Sequence, residues 1–167
     1  MNTSNHLAQL TAESYQIHLQ WIEQARELAE IAQKQGEVPV GAIVVDALGN
    51  AIAKAHNTKE TDQDPTAHAE LRAIQAACQT RKSWHLGDCT LYVTLEPCPM
   101  CAGVIIHSRI GLLVYGADDP KSGAIQTVLN LPDSAASNHK LAVLGGVAEA
   151  ECREQLQVWF RARRNQT

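Results

Sequence analysis

Leu91-Tyr92-Val93-Thr94-Leu95-Glu96-Pro97-Cys98-Pro99-Met100-Cys101 passes from an apolar five-residue run into two prolines and two cysteines. The apolar run reads as a short buried strand. A helix follows from about Pro99 to His107, and a second apolar strand runs from Leu112 to Tyr115. Strand, helix and strand joined by so short a crossover imply parallel pairing in a right-handed unit.

Upstream of this unit, Trp21, Ala25, Leu28 and Ala32 recur at helical spacing with Ile22 and Ala29 beside them. That pattern predicts an amphipathic helix from about Ser14 to Gly36. Val40 to Val45 and Ala51 to Ala55 flank a glycine-bearing loop and read as a β-hairpin. Asp64-Pro65-Thr66 has the form of a helix start, a capping side chain followed by proline, and Leu71, Ile74 and Cys78 mark one face of that helix. Downstream, a helical stretch is expected over Gly123 to Asn130 and a strand over Lys140 to Leu144. A closing helix is expected to line Cys152, Leu156, Trp159 and Phe160 along its core-facing side. The class is therefore α/β, with helices layered on a mixed sheet.

Composition narrows the function. The 167 residues are 45% hydrophobic and 19% charged, as expected of one globular domain with a core adequate without disulfide staples. Met1 to Ala12 is polar and expected to be disordered. No Lys or Arg precedes Arg26, so no signal peptide is read, and the expected compartment is the cytoplasm. Pro97 to Ala117 is weakly charged and about membrane length, but prolines, glycines and His107 interrupt it, and no membrane span is expected. The net charge of −4 argues against wholesale nucleic-acid binding. Even so, Arg153, Arg161, Arg163 and Arg164 face only Glu154 between positions 153 and 164. Such an end can bind phosphates, although alone it is an ordinary cationic helix C-terminus.

The chemistry lies in Thr66-Ala67-His68-Ala69-Glu70 and in Glu96 to Cys101. Two cysteines three positions apart at a helix start can face one ion, and the helix N-terminus favours the thiolate that ligates metals. The pair alone also occurs in zinc ribbons and redox sites. A ribbon needs a second pair, whereas Cys78, Cys89 and Cys152 stand singly. A thioredoxin-like pair leaves His68 and Glu70 unexplained. His-x-Glu together with Pro-Cys-x-x-Cys, each at a helix start, is far more specific and is the signature of zinc deaminases. His68, Cys98 and Cys101 would hold Zn²⁺ and leave one tetrahedral position for water, whose pKa falls to about 7 on zinc. Glu70 would carry the proton from water to the ring nitrogen and the departing amine. His6, His18, His85 and His107 are read as surface or satisfied side chains, and Cys78 and Cys152 as core cysteines.

Flanking segments sharpen this. Glu37-Val38-Pro39-Val40-Gly41-Ala42, Asp64 to Glu70, Thr90 to Cys98 and Met100-Cys101-Ala102-Gly103 resemble the bacterial tRNA-specific adenosine deaminases. So do Ile106 to Gly111, Tyr115-Gly116-Ala117 with Asp119, Lys121 and Gly123-Ala124, Asn138-His139, and the terminal Phe160-Arg161-x-Arg163-Arg164. The similarity covers roughly residues 15 to 164. It implies a three-layer cytidine-deaminase-like fold with a five-stranded sheet, a homodimer, and one zinc per subunit. It implies hydrolytic conversion of adenosine to inosine at the wobble position, with the tRNA anticodon stem-loop as partner. Asn57 matches the residue that hydrogen-bonds the inserted base; by itself it would be a turn or capping asparagine. Asp119 and Lys121 lie beyond the second strand of the unit, on the edge where α/β sites open, and are taken as contacts to substrate and RNA. Arg163 and Arg164 are expected at phosphates.

Two other readings stay open from the motif alone. One is a deaminase of free bases or nucleosides such as guanine or cytosine. The other is a non-catalytic, zinc-stabilised RNA-binding module, in which His56, His85 or Cys89 would have to close the metal sphere.

Overall fold

The computed structural model describes residues 11–164. In chain order its elements are α1 (Ala12–Lys34), β1 (Gly41–Val45), β2 (Ala51–His56), the one-turn α2 (Lys59–Asp62), α3 (Ala69–Arg81), β3 (Thr90–Leu95), α4 (Pro99–His107), β4 (Leu112–Ala117), β5 (Ala142–Leu144) and α5 (Glu149–Arg164). The five strands form one sheet in the order β2-β1-β3-β4-β5. β1 pairs antiparallel with β2 and β3, while β3–β4 and β4–β5 are parallel. The strand–helix–strand expectation is met, with Leu91 opposite Leu113 and Val93 opposite Tyr115.

Alternation along the central strands divides the core into two layers. Ala42, Val44, Leu91, Val93 and Leu113 face α3 and α4, packing on Ala73, Ile74, Ala102 and Ile105. Ile43, Val45, Tyr92 and Val114 face the other way, onto Ile22 and Ala25 of α1 and Cys152 of α5. Strands buried on both faces explain why the sequence shows continuous apolar runs instead of alternation. Gly41 lets α1 lie directly on β1, because a Cβ there would collide with the Ala25 carbonyl oxygen.

Several boundaries differ from expectation, each for a local reason. α1 begins at Ala12, where the Thr11 hydroxyl accepts from the Ser14 amide at 3.2 Å; the rest of the expected loose N-terminus lies outside the described residues. Ile22, Ala25, Ala29 and Ala32 form its buried seam, leaving Trp21 and Leu28 partly exposed. Asp64-Pro65-Thr66 is a turn and not a helix start. The Asp64 carboxylate accepts the Thr66 amide at 2.8 Å and its hydroxyl at 2.7 Å, which satisfies the segment locally. The helix starts three residues later, with His68 as N-cap.

The expected helix over Gly123 to Asn130 does not form. The amides of Ile125, Gln126 and Thr127 donate to one oxygen of Glu96 in place of helical carbonyls. β5 is shorter than expected, starting at Ala142. In α5, Cys152 and Trp159 are buried, while Phe160 is 44% exposed. From Cys152 to Phe160 the helix turns eight residues, about 80° away from the buried seam, whereas Trp159 is only about 20° off it.

Candidate active site

The C-terminal end of β3 meets the N-termini of α3 and α4. His68 is the N-cap residue of α3, in extended backbone, and its side chain makes no cap hydrogen bond to that helix. Cys98 is the N-cap residue of α4, Pro99 opens that helix without wasting a donor, and Cys101 lies in the first turn. Both helix ends therefore aim partial positive charge at the sulfurs. His68 Nδ1 is 3.8 Å from Cys98 Sγ and 3.6 Å from Cys101 Sγ. A tetrahedral zinc with ordinary Zn–S and Zn–N bonds sets its sulfur and nitrogen ligands about 3.6 Å apart. The donor set and its spacing fit that ion.

The electrostatics point the same way. The Cys101 thiol hydrogen-bonds the Cys98 sulfur, and with the His68 ring beside it this lowers the Cys98 pKa to about 4. The same hydrogen bond raises Cys101, as does burial. A divalent cation bound between them would favour the thiolate form of both sulfurs. His68 is raised, first by its hydrogen bond to Cys98. Among the described residues the cluster of possible ligands contains His68, Cys98 and Cys101 and no fourth member. His56 bonds the Asn57 carbonyl, His85 the Gly87 amide, and Cys89 contacts Asp88.

Glu70, in the first turn of α3, is 4% exposed. Burial raises its pKa, opposed by its own backbone amide and by His68. Desolvation thus favours its protonated form more than that of an exposed glutamate. Asn57 follows β2 and is buried; its Oδ1 accepts from the Ala69 amide at 3.1 Å and so caps α3 beside His68. The asparagine therefore joins the β-hairpin to the helix that carries His68 and Glu70.

The other expected contacts are spread along one side. Asp119 Oδ1 accepts the Lys121 amide at 2.9 Å, and its Oδ2 accepts the Ser122 hydroxyl at 2.6 Å, shaping the turn after β4. A groove of ≈ 970 Å³ runs from this turn along α5, lined by Asp119, Lys121, Arg153, Phe160, Arg161 and Arg164. Arg163 points elsewhere. It donates to the Gly36 carbonyl at 2.9 Å and lies 4.8 Å over the Trp159 ring, fastening the end of α5 to the end of α1. Phe160, expected on the core-facing side of α5, and Arg153, expected only as part of a basic helix end, both line this groove. A helical wheel carries the signal, because 153, 157, 160 and 164 share one face of α5.

Two buried glutamates also went unassigned. Glu37 accepts the Glu60 and Thr61 amides and the Thr61 hydroxyl, holding α2. Burial tends to raise its pKa, but these donors outweigh burial and leave it lowered. Glu96 is lowered in the same way, by Thr127, Gln126 and Asp119 against burial.

With this geometry established, comparison with known proteins is informative. The MafB19-like deaminase family model matches residues 16–161. The tRNA-specific adenosine deaminase of Bacillus subtilis (strain 168) is 46% identical over 141 residues, covering 84% of this chain and 87% of that protein. The enzyme of the same name from Haemophilus influenzae is 46% identical over 142 residues, covering 85% of this chain and 82% of its own length. A solved structure from work on A-to-I editing by tRNA:A34 deaminases at the wobble position superposes with a TM-score of 0.79 at 40% identity, covering 81% of this chain and 98% of that one. Fold, family model and relatives agree, and the chain belongs to the tRNA-specific adenosine deaminases.

Proposed function

We propose that the chain is one zinc-dependent deaminase domain that hydrolyses adenosine to inosine at the wobble position of a tRNA anticodon. It takes up water and releases ammonia. The observation that carries this reading is the His68–Cys98–Cys101 cluster, with zinc-like spacing and three donors, beside the buried Glu70. In this reading His68, Cys98 and Cys101 would hold one Zn²⁺ per subunit, which would supply Lewis-acid activation of the attacking water. Glu70 would take one proton from the attacking water at its carboxylate and deliver it to N1 of adenine. It would then take the second from the new hydroxyl on C6 and pass it to the amine, which leaves as ammonia as the C6 carbonyl forms. Asn57, next to Ala69, hydrogen-bonds the inserted base through its side chain.

Turning out a base costs little in an unpaired anticodon loop. The groove flanked by Lys121, Arg161 and Arg164 supplies phosphate contacts, and Phe160 a face for stacking. Asp119 contacts the substrate at the rim, whereas Arg163, held on Gly36 and Trp159, is given no RNA contact. The active form is a homodimer acting on the anticodon stem-loop in the cytoplasm. Among the described residues no helix is long and apolar enough to cross a membrane.

The test is mass analysis of the wobble nucleoside after incubation with total tRNA, alongside adenosine, guanine and cytosine as free substrates. Inosine formed at position 34 supports the reading. Turnover confined to the small molecules would replace it with a free-base deaminase.

A further inference from the structure

The Glu96 carboxylate is 1% exposed and receives five hydrogen bonds from one segment. Oε1 accepts the amides of Ile125, Gln126 and Thr127 at 3.1, 2.7 and 3.0 Å. Oε2 accepts the Asp119 amide at 3.1 Å and the Thr127 hydroxyl. Next to it, the Pro97 carbonyl accepts the Ala124 amide at 2.9 Å. Gly123 passes so close that a Cβ there would run into the carboxylate. One side chain two residues from Cys98 thus fastens residues 119–127 to the turn that carries the metal ligands. That segment bears Asp119, Lys121 and Thr127, which line the groove.

We propose that Glu96 is a positioning residue that holds the 119–127 segment in register with the metal turn and so sets substrate affinity at the mouth of the site. This inference rests on the tRNA deaminase reading for what the mouth binds. The strap itself exists whatever the substrate. Bonds within the segment, such as the Gly123 amide to the Asp119 carbonyl at 2.9 Å and the Lys121 amide to the Asp119 carboxylate, shape it locally. Glu96 and the Pro97 carbonyl attach it to the metal turn. The two oxygens divide the work, Oε1 holding the amides of 125–127 and Oε2 holding the Asp119 amide and the Thr127 hydroxyl.

Glu96→Gln tests that division. Its carbonyl oxygen still serves the three amides at 125–127, while its NH₂ group faces the Asp119 amide donor. Gly123→Ala attacks the strap from the loop side and leaves Glu96 intact. Zinc-loaded wild type and both variants are compared by amide hydrogen exchange and by steady-state kinetics on the anticodon stem-loop. For Glu96→Gln, exchange is expected to quicken at 119–122 and hold at 125–127. KM should rise roughly 10- to 100-fold, with kcat within about threefold and zinc content unchanged. Gly123→Ala should raise KM similarly, and the double variant should fall well short of the product of the two effects. Unchanged exchange over 119–127 in both variants would overturn the strap. Loss of zinc or of kcat at constant KM would overturn its role in affinity. If wild type fails to deaminate the stem-loop while exchange responds as stated, the substrate reading has failed and the strap stands.

Discussion

Two buried carboxylates, 26 positions apart in sequence, flank the same His68–Cys98–Cys101 cluster and have opposite surroundings. Glu70 at the head of α3 is buried with little to compensate it, and its pKa is raised by desolvation. Glu96 at the end of β3 is buried as deeply, but Thr127, Gln126 and Asp119 outweigh the desolvation and its pKa is lowered. Burial alone therefore says nothing about role; the number of donors does. A carboxylate with five donors stays charged and fixed, whereas one held mainly by desolvation can take up and return a proton.

Glutamate-to-glutamine substitution at both sites gives the sharpest way to break that contrast. Glu70→Gln cannot carry the proton, and kcat on the stem-loop should fall by roughly 10²- to 10⁴-fold or more. Zinc content should be retained, and the melting temperature should be no lower than wild type, since a desolvated charge has been removed. Glu96→Gln should do the reverse, keeping kcat while losing about 1.5–3 kcal/mol of stability with its charged acceptor. Metal analysis, thermal melts and single-turnover rates on the two proteins decide it. Equal kcat for Glu70→Gln and wild type would remove Glu70 from the chemistry.

The contrast also explains what was legible in the sequence. The grouping of His68, Cys98 and Cys101, with Glu70 beside them, could be read because it depends on short spacings at helix starts, which the chain displays directly. β3, α4 and β4 could be found because apolar runs and prolines punctuate them. The missing helix after Gly123 could not be, because the competitor for its amides is a side chain some 30 positions upstream that reads as an ordinary strand-end acid. The late start of α3 has a similar cause. Asp64 spends its carboxylate on Thr66, and the Ala69 amide is capped by Asn57 from another element. Arg163 looks like its neighbours in sequence. Only the fold shows it turned onto Gly36 and Trp159.

Glu37 provides a third carboxylate with which to sharpen the rule, one far from the metal ligands in sequence. It has three donors and a lowered pKa, so it belongs with Glu96. Because its folded pKa lies below the ordinary 4.5, its stabilisation is complete above that value and is lost as pH falls through the folded pKa. Glu37→Gln, which does not titrate, should be about 1–2 kcal/mol less stable at pH 7. The gap should narrow as both proteins are taken below pH 4.5. Paired melts across that range measure it, and a gap that stays constant or widens in acid would place Glu37 outside the rule.

The smallest expected effect tests whether fixing a carboxylate fixes what the loop presents. Lys121 rides on the segment that Glu96 holds and lines the groove. If it meets a phosphate, Lys121→Ala should weaken stem-loop binding and reduce the slope of log K against log salt by about one. That slope alone reports charge, not position. In a Glu96→Gln background the loop no longer holds Lys121 in one place, so the same substitution should cost less there than in wild type. The difference between the two backgrounds isolates the part of the lysine's contribution that comes from being held. An identical cost in both would mean that Lys121 finds its phosphate without the strap, and that the five donors on Glu96 serve folding alone.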